Sequence, residues 1–259
     1  MILAIDVGNT DIACGLYAGS ERRDAWRLAT GALRSADEMA LLISTMLQHR
    51  GFEPSAIHAA SIGSVVPRVT GPLGEACTVL FQVEPLVVDA TTPLPITLDV
   101  DEPLTVGADR IVNTLAVAQR FGEDTIVVDL GTATTYDCIT RAGVFIGGVI
   151  APGVQTSADA LGKSAAKLPR FEPVRPERVI GRRTESCLAS GLFWGAVDAI
   201  DGIVVRIREE WGREEVLTIA TGGLATAIAP ACRTVSRVEP WLTLEGLALA
   251  YEHARGKAR

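Results

Sequence analysis

The sequence predicts an α/β protein in which one strand-rich unit, roughly 120 residues long, occurs twice. Two observations carry this. A buried apolar strand ending in aspartate and turning at glycine appears as Ile5-Asp6-Val7-Gly8-Asn9-Thr10 and again as Val128-Asp129-Leu130-Gly131-Thr132-Ala133. Each copy continues into a second strand and a Gly-containing turn, at Gly19 and Gly143.

In the first copy, strands are expected at Ile2–Val7, Ile12–Tyr17 and Asp24–Ala29. Ser35-Ala36-Asp37-Glu38 then opens an amphipathic helix to about His49, with Met39, Leu42, Ile43, Met46 and Leu47 near helical spacing. A buried strand at Ala59–Val65, a helix from Pro67 to Phe81 and a short strand at Pro85–Val88 follow. Gly107-Ala108-Asp109-Arg110 opens a helix over Ile111–Phe121. In the second copy, strands are expected at Thr125–Leu130, Thr134–Thr140 and Val144–Ile150. A helix near Cys187–Trp211, a strand at Val216–Ala220 and a helix at Leu242–Arg255 complete it. The Pro-rich segment Pro93–Pro103 leads to the junction, and the predicted domains are 1–115 and 116–259.

Composition narrows the function classes. The formal net charge of −7 offers no excess of cations for nucleic acid or an anionic membrane surface. Five scattered cysteines, with no C-x-x-C, argue against a disulfide framework or zinc site and suit a reducing compartment. His49, His58 and His253 have no ligand-like spacing. The apolar start is cut by Asp6, too early for a secretory signal, and no membrane span is expected, so the protein is expected to be cytoplasmic.

The repeated aspartate–glycine turns carry the first chemical signal. Glycine admits close backbone approach, turn amides and hydroxyls can cradle phosphoryl oxygens, and a carboxylate can hold hydrated Mg²⁺. One copy would read as an ordinary hairpin; two in matching positions suggest a nucleotide cleft between related domains. The second signal is Gly107-Ala108-Asp109-Arg110. Asp109 can simply cap a helix, or it can accept a proton from a substrate hydroxyl while Arg110 grips a carboxylate. Phosphoryl transfer needs positioning, charge neutralisation and a carboxylate to orient the attacking hydroxyl. Gly147-Gly148 with Pro152-Gly153, and Thr221-Gly222-Gly223, are further glycine-rich candidates near a nucleotide. Gly162-Lys163-Ser164 imitates the end of a P-loop, but Ser157 stands where the first glycine is required and no strand precedes it directly.

Together with Ser64-Val65-Val66-Pro67, Gly181 and Thr184, these motifs resemble the type III pantothenate kinases along essentially the whole chain. That family lies within the superfamily of acetate and sugar kinases, Hsp70 and actin. The resemblance implies two duplicated RNase H-like domains with mixed five-stranded sheets flanked by helices, the ATP cleft between them. It implies phosphorylation of pantothenate by ATP, the first step toward coenzyme A, with Asp109 as catalytic base. Gly107, Ala108, Asp109 and Arg110 would line the pantothenate site. Asp6, Val7, Gly8, Asn9, Thr10, Asp11, Ile12, Ala13 and Thr132 would bind ATP, with Mg²⁺ near Asp6. Asp129 would hold a monovalent cation, K⁺ or NH₄⁺, and Thr184 would contact pantothenate in a homodimer. One departure stands out: where the family commonly has Tyr-x-Asn-Pro, this chain has Val100-Asp101-Glu102-Pro103, which places Val100 at the substrate pocket and removes a ring and hydroxyl. Two other readings share these features: a non-catalytic nucleotide-binding accessory factor for transcription, and a kinase of another hydroxylated carboxylic acid.

Overall fold

The computed structural model describes residues 1–31, 33–164 and 174–256. The chain forms two compact units, Met1–Arg120 with Leu242–Arg259, and Phe121–Trp241.

In the first unit, β1 (Ile2–Val7), β2 (Asp11–Ala18) and β3 (Glu21–Ala29) form an antiparallel meander. β4 (Ala59–Ser64) joins β1 in parallel and β5 (Leu86–Val88) joins β4, giving the order β3-β2-β1-β4-β5. β1 alternates its faces. Leu3, Ile5 and Val7 enter a core with Met39, Ile43 and Leu47 of α1 (Ala36–His49) and Val69, Leu73 and Cys77 of α2 (Pro67–Phe81). Helix α1 starts where expected because Ser35 and Glu38 form a reciprocal capping box: Glu38 N–H donates to Ser35 Oγ, and Ser35 N–H to Glu38 Oε2. A two-residue strand, β6 (Thr97–Leu98), precedes α3 (Ala108–Arg120).

The second unit repeats the plan. β7 (Thr125–Leu130), β8 (Ala133–Ile139) and β9 (Val144–Pro152) form the meander. β10 (Leu217–Thr221) joins β7 in parallel, and β11 (Arg237–Val238) joins β10. Third-second-first-fourth-fifth is thus the strand order of both copies, with the same pairing directions, as duplicated RNase H-like domains require. α4 (Val154–Ser164) and α5 (Thr184–Trp211) lie between β9 and β10, and α6 (Ala225–Ile228) follows β10. By length and composition α5 is apolar enough to cross a membrane, contrary to the expectation that no stretch approaches a span. Its Phe193, Val197, Ile200 and Val204 pack instead with Ile126, Val128 and Leu130, and the buried Asp201 accepts bonds from Arg233 N–H, Thr234 N–H and the Thr234 hydroxyl. One face of α5 thus packs into the core of this unit.

The predicted boundary at 115/116 differs from the observed division in two ways. α3 is continuous to Arg120, so no break falls inside it. The terminal α7 (Leu242–Gly256) belongs with the first unit: its Leu244 and Leu247 lie over the glycines of β2 and β4, Gly15 and Gly63, and it packs along α3. Small residues on that face of the sheet leave room for a whole helix. β6, β11 and α6 were not anticipated, since two- to four-residue elements carry no usable periodicity.

Candidate active site

Asp6 occupies the last turn of side chains on β1 before the Gly8 loop. Register sets its surroundings: Ala13 of β2 and Gly63 of β4 are its direct neighbours, and Arg27 of β3 lies beyond Ala13. Directly paired residues point to one face. Two small neighbours therefore leave room for the Asp6 carboxylate on the sheet, with a guanidinium two strands away. The start of α3 covers this face, since a Cβ added at Gly63 would stand 3.6 Å from the Cβ of Ala108.

The structure starts α3 at Ala108, three residues earlier than the predicted helix. The Gly107 carbonyl accepts the first helical bond, 3.2 Å from Ile111 N, so Gly107 is the cap and Asp109 lies inside the first turn. Asp109 Oδ1 accepts from Arg110 N–H at 2.9 Å. Here the positive end of the helix favours the carboxylate. Burial works the other way and dominates, raising the Asp109 pKa above the usual carboxylate range, opposed by the Arg110 amide and guanidinium. A Cβ at Gly107 would collide with Asp109 Oδ1, so glycine here leaves that carboxylate its present place.

Asp6 and Asp109 interact. Burial first and the Asp109 charge second push Asp6 from 3.8 up to about 7, while Arg27 pulls it down. A proton acceptor with raised affinity beside a second carboxylate is the arrangement expected for proton transfer from a hydroxyl to a base next to a cation-bearing phosphate.

The loop following Asp6 is tightly bound. Gly8 N–H donates to the Asp11 carbonyl at 2.9 Å, while Asn9, Thr10 and Asp11 remain exposed. Val7, Ile12 and Ala13 are buried, so their contribution is to hold the strands that carry the loop.

In the second unit, Asp129 is half-buried at the end of β7. Thr221 of β10 and Thr135 of β8 are its neighbours on the same face. Gly222, with φ +91°, lies so close that a Cβ would strike Asp129 Oδ1 and the Leu130 backbone. Thr132 is held through its carbonyl, which accepts from Gly153 N–H at 3.1 Å and from the Thr156 hydroxyl at 2.6 Å. Thr184 is exposed in the first turn of α5, where Ser186 Oγ accepts from Arg182 N–H and Arg183 N–H. Val100 sits half-buried in a bend before the short turn Pro103–Thr105 that leads to Gly107. Lys163 lies near the end of α4, away from any strand-to-helix turn, as expected of a false P-loop.

No cluster of three or more His, Cys, Asp or Glu able to hold a metal occurs among the described residues. Mg²⁺ does not need one, because one or two carboxylates with substrate phosphates suffice, and repulsion between Asp6 and Asp109 favours a cation nearby. At Asp129 the buried Thr221 hydroxyl has no hydrogen-bond partner, and it shares the carboxylate's face. Carboxylate plus hydroxyl is a hard, all-oxygen donor set that fits K⁺.

A concavity of about 520 Å³ lies elsewhere, at the opposite end of β1, lined by Met1, Tyr17, His58, Tyr251, Glu252 and Arg255 among others. It contains none of the residues above.

The Thr30 anchor of the first loop was invisible in the sequence. Its hydroxyl donates to the Gly8 carbonyl at 2.8 Å and its amide to the Thr10 carbonyl at 2.9 Å. Only strand pairing brings it there.

Comparison with known proteins shows the family. A family model described as type III pantothenate kinase matches residues 2–206. A protein of that name from Moorella thermoacetica is 43% identical over 252 residues, 97% of this chain and 99% of its own. One from Roseiflexus sp. is 45% identical over 255 residues, 98% and 100% respectively. Among solved structures, a Baf family transcriptional activator from Campylobacter jejuni matches with TM-score 0.61 at 19% identity, over 98% of this chain and 99% of its own. A ROK hexokinase from Thermus thermophilus matches with TM-score 0.53 at 11% identity, over 99% of each. At those identities the structures establish the fold alone.

Proposed function

The chain belongs to the type III pantothenate kinase family and phosphorylates pantothenate with ATP in coenzyme A biosynthesis, and on that premise we propose that Asp109 is its catalytic base. The observation that carries this is the burial-raised proton affinity of Asp109 in the first turn of α3, beside Asp6. Asp109 accepts the proton of the primary hydroxyl as that oxygen attacks the γ-phosphorus. The bond from that phosphorus to the bridging oxygen of ADP breaks as the new one forms. Arg110 grips the pantothenate carboxylate, a task suited to a planar guanidinium. Gly107 and Ala108 let substrate approach the helix start closely.

Asp6 to Ala13 form the ATP-phosphate segment of the first copy, and Thr132 is assigned to ATP in the second. Mg²⁺, when bound near Asp6, supplies charge neutralisation on the phosphates. Asp129 and Thr221 hold the monovalent cation. Thr184 contacts pantothenate within a homodimer, and the enzyme is cytoplasmic. Val100 occupies the position of the family's tyrosine and shapes the acceptor pocket.

The test is turnover by purified protein with ATP, Mg²⁺ and K⁺. Pantothenate should be converted to 4′-phosphopantothenate, and Asp109→Asn should abolish turnover while the fold persists. Undiminished turnover by Asp109→Asn would remove Asp109 from its role. A panel of hydroxylated carboxylic acids tests the pocket at Val100, with pantothenate expected to be preferred. Sedimentation velocity tests the homodimer.

A further inference from the structure

We propose that Thr30 is a positioning residue for ATP: it pins the loop between β1 and β2 in the form that receives the phosphates, an inference that rests on the assignment of that loop to ATP. Thr30 follows the third strand of the meander and is 2% exposed. Because β3 runs antiparallel to β2, its end arrives beside the β1–β2 loop; Ala29 pairs with Asp11. From there Thr30 makes both of its bonds into the loop, hydroxyl to Gly8 carbonyl at 2.8 Å and amide to Thr10 carbonyl at 2.9 Å.

The consequence follows from peptide geometry. In a trans peptide the carbonyl and the next N–H point in opposite directions, and the described residues include no cis bond. Drawing the Gly8 carbonyl down to buried Thr30 therefore turns the Asn9 N–H away from the protein interior, on the exposed side of the loop. Without the hydroxyl, the Gly8 carbonyl loses this anchor and the Asn9 peptide can rotate.

The second copy has a related but not equivalent contact. Thr156, in the first turn of α4, donates its hydroxyl to the carbonyl of Thr132 at 2.6 Å. Each aspartate–glycine loop thus has a carbonyl held by a threonine hydroxyl, at Gly8 in the first copy and one aligned position later, at Thr132, in the second.

Thr30→Val keeps the shape and removes the hydroxyl; Thr30→Ser keeps the hydroxyl. Steady-state kinetics with each substrate varied, binding of a non-hydrolysable ATP analogue by calorimetry, and thermal unfolding would be measured for both. Thr30→Val should weaken ATP and the analogue by about tenfold, as expected for one well-placed anchor. The pantothenate KM should stay within about twofold of the parent, and Thr30→Ser should restore ATP affinity. If Thr30→Val fails to fold, Thr30→Ala offers the same hydroxyl deletion without the added methyl. Unchanged analogue binding in the folded deletion variant, or failure of Thr30→Ser to rescue, overturns the proposal. Asp6→Asn separates the two levels. If it weakens ATP while Thr30→Val does not, the tether is wrong and the loop assignment stands; if neither weakens ATP, both fall.

Discussion

Asp6 at the end of β1 and Asp109 in the first turn of α3 are electrostatic neighbours, although more than a hundred residues of chain separate them. The charge on Asp109 adds to burial in raising Asp6 to about 7, and burial raises Asp109 itself. One unit thus holds two carboxylates that resist ionising together.

The first prediction concerns pH. A base with raised proton affinity is lost as pH falls, so kcat/KM for pantothenate should decline on the acid side at a pH above the ordinary carboxylate value of 3.8. A pH–rate profile checks this. An acid limb at or below that value would remove the raised affinity of Asp109 from the mechanism.

The same burial predicts a stability effect of opposite sign to activity. Asp6 has a folded-state pKa above its unfolded value, so its protonated form favours folding at low pH, and that contribution disappears as pH rises through about 7. Asp6→Asn should therefore stabilise the ligand-free protein at pH 8 by about 1–3 kcal/mol, and much less at pH 5. Denaturant unfolding at the two pH values measures it. Equal effects at both would contradict the shift.

Gly107→Ala should cost turnover while sparing the fold. The added methyl would collide with Asp109 Oδ1 and force that carboxylate off its place over the helix start. A loss of kcat of about 10²-fold is expected, the scale of an ångström-sized misplacement. The check is kcat together with circular dichroism.

On the proposal that Asp129 and Thr221 hold K⁺, Thr221→Val should raise the K⁺ concentration needed for half-maximal activation, because it removes a buried hydroxyl from the carboxylate's side. Thermal stabilisation by K⁺ should shrink in parallel. Potassium titrations of activity and of the unfolding midpoint are the two readouts.

Leu247→Ala should destabilise the first unit. Leu247 is fully buried on α7 and lies against Gly63 of β4. The expected cost is about 2–5 kcal/mol, as for other large-to-small core changes. Hydrogen exchange should show the loss in β1, β4 and α3 rather than in β7 and β10.

The sequence by itself determined most of the elements and nominated the candidate residues. Continuous apolar runs ending at Asp6 and Asp129 read directly as buried strands, since a strand packed on both faces has no reason to alternate. The capping box at Ser35 and Glu38 marked the start of α1 through a local reciprocal bond. Gly107 to Arg110 stood out as a candidate because Asp and Arg follow glycine at a helix start. The start of α3 itself was misjudged by three residues: the cap is a glycine, whose carbonyl bond leaves no side-chain signature.

Only the tertiary structure decided which groups meet. Asp6 has room for its carboxylate because Gly63 and Ala13 are its neighbours in register, and register joins residues that sequence distance hides. α7 returned to the first unit because it fits over small residues on β2 and β4, a surface assembled from separate strands. Thr30 and Thr156 are ordinary threonines until the end of β3 and the start of α4 carry them to loop carbonyls. Periodicity and turn chemistry act over a few residues and are written locally. Proton affinity, close approach and tethering depend on neighbours brought together by strand pairing, so they exist only in the folded chain.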